Sequence, residues 1–187
     1  MMKQLTIGAV GVVVGVLISL GLASAADRDD PKMSERSEPQ DFMMEAARGG
    51  LAEVTLGQMA AQRASRDEVK QFGQRMVQDH GKANTELMQL AATKGVTLPK
   101  ELDSTHKAMA ERLSQLSGAE FDRAYMSEMV KDHTKDVSAF QHQAGQGTDP
   151  EVKNWAAKTL PTLQQHLEMA QDTAQKVGAI QKSAERQ

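Results

Sequence analysis

The chain carries one heptapeptide twice, Met76-Val77-Gln78-Asp79-His80-Gly81-Lys82 and Met129-Val130-Lys131-Asp132-His133-Thr134-Lys135, sharing the pattern Met-Val-x-Asp-His-x-Lys. An aromatic residue, Phe72 or Tyr125, precedes each methionine by four positions. On a helix, aromatic, methionine and histidine then share one face, so each imidazole interrupts an apolar stripe. An imidazole in that position needs a polar partner. Glu53 and His166 interrupt apolar stripes in the same way. One carboxylate and three neutral imidazoles form a donor set suited to a single transition metal ion, zinc, iron, copper or manganese. The competing account is an ion-free core in which a histidine pairs with a buried carboxylate such as Glu53. Three imidazoles at one level are harder to satisfy without an ion.

Other candidates carry less chemistry. Asp79 and Asp132 lie about 100° round the helix from the histidines that follow them, which leaves them as ligands or, preferably, as i,i+3 partners of Lys82 and Lys135. His106 and His142 fall off the main stripes and read as solvated or supporting. Asp122 and Tyr125 have no partner at a defined spacing and receive no catalytic role. Of the 12 methionines, Met59, Met76, Met129 and Met169 have core spacing, which favours gap-filling over copper(I) binding. There is no Gly-rich phosphate loop and no Gly-x-Ser-x-Gly elbow.

These side chains need helices to position them. The first helix opens at Asp41 and presents Phe42, Ala46, Gly49, Glu53, Leu56 and Ala60 on one face. Ser65-Arg66-Asp67-Glu68 reads as a capping box for a second helix ending at Gly95. A short connecting helix carries Leu102, His106, Met109 and Leu113. Ser117-Gly118-Ala119-Glu120 reads as another capping box, starting a helix that ends at Gly145 and Gly147. Asp149-Pro150 starts the last helix, which Gly178 stops and which Pro161 should kink. Gly49, Gly50 and Gly57 each cost about 1 kcal/mol against alanine, which points to close backbone approach beside Glu53.

Four long amphipathic helices with a short helix on the second-to-third crossing predict an all-α, ferritin-like four-helix bundle. Counting from the turns puts Glu53 and His80 within about 4.5 Å of one level, and His133 and His166 about 7 Å apart along the axis. The bundle is expected over residues 41–178, behind a charged, proline-broken linker at 27–40 and ahead of a flexible tail at 179–187. Residues 1–26 read as a cleavable signal peptide, with Lys3, an apolar run from Leu5 to Leu22 and the small residues Ala23-Ser24-Ala25. A periplasmic location follows, with an uncleaved anchor and peripheral outer-membrane association as alternatives.

Composition sets the outer bounds. A chain of 187 residues with 40% hydrophobic, 25% charged and 3% aromatic residues is ordinary for one helix-rich globular domain. The formal charge of −3 comes with no basic run, so no nucleic-acid footprint is expected. Zero cysteines exclude a disulfide framework. A 3.6-residue rhythm with one tryptophan excludes a membrane barrel.

The segments Gly50 to Gly57, Met76 to His80, Phe121 to Tyr125, Met129 to His133 and Leu160 to His166 resemble the bacterial exported ferritin-like family grouped as domain of unknown function 4142, often labelled outer membrane proteins. The resemblance spans Asp41 to about Val177. It implies fold and export, with Glu53 and the three histidines as motif positions, and brings no reaction, substrate or cofactor. It departs from di-iron ferritin-like proteins, which use Glu-x-x-His; here Val77, Val130 and Leu163 stand where the glutamates would be. Three functional classes stay open: a metal-binding periplasmic bundle, a metal-free envelope interaction or stress-protection protein with an envelope partner, and an enzyme acting on reactive oxygen. Oligomeric state is not legible.

Overall fold

The computed structural model describes residues 37–180. The expected signal peptide, the linker up to residue 36 and the tail beyond residue 180 lie outside the described residues. Five helices and no strands are present among the described residues: α1 (Glu38–Arg63), α2 (Asp67–Thr93), α3 (Ser104–Ser114), α4 (Gly118–Gln146) and α5 (Pro150–Lys176). None is long and apolar enough to cross a membrane.

Helix α1 begins three residues ahead of Asp41, inside the segment expected to be linker. Ser37 is its N-cap, with the Ser37 backbone N–H donating to Gln40 Oε1 at 3.2 Å. Glu38 and Asp41 fall in the first turn, where carboxylates favour the helix dipole, and Pro39 is tolerated there because its missing N–H has no partner to lose. Glu38 and Pro39, read with the linker, are therefore start signals.

The two expected capping boxes do not form. Arg66, not Ser65, is the N-cap of α2. The Ser65 hydroxyl and N–H, together with the Arg66 N–H, donate to the buried carboxylate of Asp122 on α4. A charged acceptor from another helix thus replaces the local cap, which gives Asp122 a structural role. Ser117 caps α4 by backbone conformation without a side-chain bond, and Gly118 follows it at φ 58°, a left-handed value suited to glycine. By contrast Asp149 accepts from Glu151 N–H and Val152 N–H at 3.0 and 3.1 Å, with Pro150 in the first turn. Helix α5 continues through Pro161.

Helices α1 and α2 form one closely packed hairpin and α4 and α5 another; α2 also meets α5, α1 meets α4, and α3 touches α1 and α4. Gly57 and Gly73 mark a close approach of α1 and α2: a methyl added at Gly57 would stand 2.7 Å from Gly73 O, and one at Gly73 would stand 2.6 Å from Gly57 O.

The interior is two apolar clusters. One gathers Leu56, Phe72, Met76, Phe121, Tyr125 and Met129; the other gathers Met43, Leu87, Phe140, Val152, Trp155 and Leu163. On each long helix the residue between the two clusters is polar: Glu53, His80, His133 and His166. Not every expected core position is inside, since Met169 is 38% exposed.

Candidate metal centre

The polar layer brings three imidazoles together from α2, α4 and α5. Their ring centroids are 5.7 Å apart for His80 and His133, 5.3 Å for His80 and His166, and 5.4 Å for His133 and His166. One ring nitrogen from each lies within 4.8 Å of one from each of the others. All three are buried, at 6%, 0% and 1% exposure for His80, His133 and His166.

Hydrogen bonds engage one ring nitrogen each of His133 and His166. His133 Nδ1–H donates to Met129 O at 2.9 Å, the carbonyl one turn earlier. His166 Nε2–H donates to Asp79 Oδ2 at 2.8 Å, and Arg75 pairs with the same carboxylate oxygen. His80 Nε2, His133 Nε2 and His166 Nδ1 are each buried and without a hydrogen-bond partner. A carbonyl or carboxylate that fixes one nitrogen while the other stays bare is the arrangement around metal-bound histidines. Nitrogens about 2.0–2.1 Å from one ion stand roughly 3.3 Å apart, so an ion would draw these side chains inward by an ångström or so.

Burial pushes the His80 imidazole well below its ordinary range, with His133 and His166 adding to the effect. Burial likewise takes His133 down to about 4, against the opposing bond to Met129 O. His166 is lowered by burial too, and Asp79 offsets part of this. All three are therefore neutral near pH 7, the form that coordinates metal. Partial burial would raise Asp79, but hydrogen bonds from Arg75 and His166 hold it below its usual range. It stays anionic behind His166.

Glu53 stands apart from the triad. Its Oε1 is 3.7 Å from His133 Nδ1, the nitrogen already bonded to Met129 O, and its Oε2 is buried without a partner. Burial, followed by the charges of Asp136 and Asp132, raises its pKa well above the carboxylate range. Tyr125, also buried with its hydroxyl unpartnered, is raised by burial and by Glu53.

The expected lysine partners of the two aspartates are not used. Asp79 turns to Arg75 and His166 instead of Lys82 because the i,i+4 arginine and the imidazole across the helix interface both reach it. Asp132 makes no ion pair with Lys135 among the described residues and lines a cavity with Glu53, Asp136 and His106. His106 is half-buried rather than solvated, with Nδ1 3.0 Å from Asp103 Oδ1. Asp136 is a further residue of the site that sequence reading passed over. It lines both that cavity and a smaller one of about 30 Å³ beside His80 and His166. Its three-residue spacing from His133, one helical turn, was the available signal.

An all-helical chain whose interior gathers three bare imidazole nitrogens is the class that fold and site define together. The chain belongs to the family described as domain of unknown function DUF4142, which matches residues 22–173. No curated protein matches it. Among solved structures it is similar to a DUF305 fragment from Deinococcus radiodurans, at 13% identity and TM-score 0.66 over 78% of this chain and 98% of that one. It is also similar to a protein described as a secreted DUF305 protein from Streptomyces coelicolor, at 14% identity and TM-score 0.63 over 76% and 95%. A third, described as a spore coat protein from Bacillus halodurans, shows 11% identity and TM-score 0.64 over 81% and 95%. At these identities the likeness is one of fold.

Proposed function

We propose that the protein is an exported, ferritin-like four-helix bundle that binds one transition metal ion between its two apolar clusters. His80 Nε2, His133 Nε2 and His166 Nδ1 are the ligands, and Glu53 is the fourth member of the set, beside His133 with its Oε1 3.7 Å from Nδ1. The observation that carries this reading is that three buried imidazoles bring one nitrogen each within 4.8 Å of the others, and that each ring has a buried nitrogen without a hydrogen-bond partner. Neutral imidazoles suit zinc, copper and iron, and manganese less well. Three protein ligands leave a coordination position open, as in catalytic rather than structural metal sites. The cavity of about 30 Å³ beside His80 and His166 exceeds the roughly 10–15 Å³ that a water needs, so a water-sized ligand fits there.

The bundle reading is supported by the two packed hairpins and by α3 on the crossing between them. A periplasmic location is supported by the leader-like residues 1–26 and by the description of one structural neighbour as secreted. A second reading, an envelope interaction protein, is favoured by an apolar groove of about 190 Å³ beside Met88, itself 57% exposed. Purification without chelators, followed by elemental analysis and cobalt(II) titration, separates the two. One equivalent of zinc, copper or iron in the wild type and none of these in His80→Gln/His133→Gln/His166→Gln supports the metal site; equal, substoichiometric amounts in both refute it.

A further inference from the structure

A second cavity, about 70 Å³, is bordered by α1, α3 and α4. Glu45 and Glu53 from α1, Asp132 and Asp136 from α4 and His106 from α3 line it, and among the described residues Lys135 is the one fixed positive charge on its walls. No lysine or arginine nitrogen comes within 4.0 Å of Glu53, Asp132 or Asp136 among the described residues. Glu53 is only 2% exposed, and its Oε2 has no hydrogen-bond partner. Gly49 stands beside Asp136: a methyl there would reach 3.8 Å from Asp136 Oδ2. Carboxylates gathered round a small cavity without cations repel one another, and a buried carboxylate oxygen without a donor is costly. Protons or a metal cation must relieve this.

We infer that this cavity is a second cation site, distinct from the imidazole triad, that takes a hydrated hard divalent ion of the Mg²⁺ and Mn²⁺ class between Glu53, Asp132 and Asp136. Oxygen donors select hard ions, whereas the neighbouring imidazoles select borderline ones. The three carboxylates do not converge as tightly as the histidine nitrogens, so the ion keeps several waters, as this class does. His106 supplies a nitrogen at the rim, which suits Mn²⁺ better than Mg²⁺. Glu53 then joins two sites of different chemistry, with its Oε1 3.7 Å from His133 Nδ1 and its side chain lining the oxygen site.

Mn²⁺ tests the assignment, because binding removes the electron paramagnetic resonance signal of the free aquo ion. The metal-free full chain is titrated as wild type, Asp132→Asn/Asp136→Asn, Glu53→Gln and His80→Gln/His166→Gln, with each fold checked by circular dichroism. The wild type and the histidine variant should bind one Mn²⁺ alike, while the aspartate pair and Glu53→Gln weaken it at least tenfold. No Mn²⁺ uptake by the wild type at millimolar concentration means that protons alone relieve the carboxylates, and overturns the inference. Undiminished uptake by the aspartate pair overturns it as well. So does uptake that the histidine variant abolishes, which would assign the ion to the triad.

Discussion

His133 and His166 differ in what holds one of their ring nitrogens, and their sensitivities should differ accordingly. A main-chain carbonyl orients His133, which no side-chain substitution removes; Asp79 orients His166. Loss of such a supporting carboxylate ordinarily weakens metal binding about 10–100-fold. Asp79→Ala should therefore bind one equivalent with affinity reduced by about that factor in competition against a chromogenic chelator; unchanged affinity would remove Asp79 from the site.

Asp136 makes the pH prediction. Burial, then the charge of Asp132, raises it from 3.8 to about 7. The folded chain then holds a proton that the unfolded chain has released, so this group lowers stability as pH rises from about 4 to about 7, by at most about 4 kcal/mol. His133 has the opposite sign. At about 4 against an ordinary 6.5, it takes up its proton more readily when unfolded, so stability is lost as pH falls from 6.5 toward 4, by about 3 kcal/mol. Asp136→Asn should be more stable than wild type above pH 7 and match it near pH 4, as read by urea unfolding; a pH-independent difference would contradict the shift. The repeated heptapeptide made two of the histidines legible in the sequence. Asp136 was not, because its environment is a cavity that exists only once α1 and α4 are packed.

At the scale of elements, local signals were readable where the helix end answers to its own neighbours. Asp149 caps α5 and Gly95 and Gly178 end helices at φ 66° and 71° as their types require. Ser65 has an equally good local pattern, yet tertiary structure overrides it by bringing a buried carboxylate from α4. Asp122→Ala removes three acceptor contacts at once, leaving main-chain donors at the start of α2 unpaired. It should cost about 1–3 kcal/mol in urea unfolding; a change below about 0.5 kcal/mol would show that water replaces the carboxylate. Likewise the role of Gly57 was legible as close approach, but its partner Gly73 was not, because helix register is set across the interface.

For the whole molecule, sequence periodicity carried the all-helical class, and counting residues from the turns anticipated that Glu53, His80, His133 and His166 occupy neighbouring levels. It could not separate Glu53 from the imidazoles, since rotamers and hydrogen bonds, not levels, place Oε1 against His133 Nδ1. The polar layer divides two apolar clusters, and its imidazoles come from both hairpins, so an ion held there links α2 to α4 and α5. Binding to the folded state alone stabilises by about 2.7 kcal/mol at a hundredfold excess over Kd. Zinc should raise the thermal midpoint of the wild type and leave the triple histidine variant unmoved; equal shifts would place the ion elsewhere.

The most direct measurement is anomalous diffraction from crystals of the zinc-treated protein, recorded on both sides of the zinc edge. The account predicts one strong peak about 2.0–2.1 Å from His80 Nε2, His133 Nε2 and His166 Nδ1 together. Fully zinc-exposed crystals with no peak among these three nitrogens would contradict it.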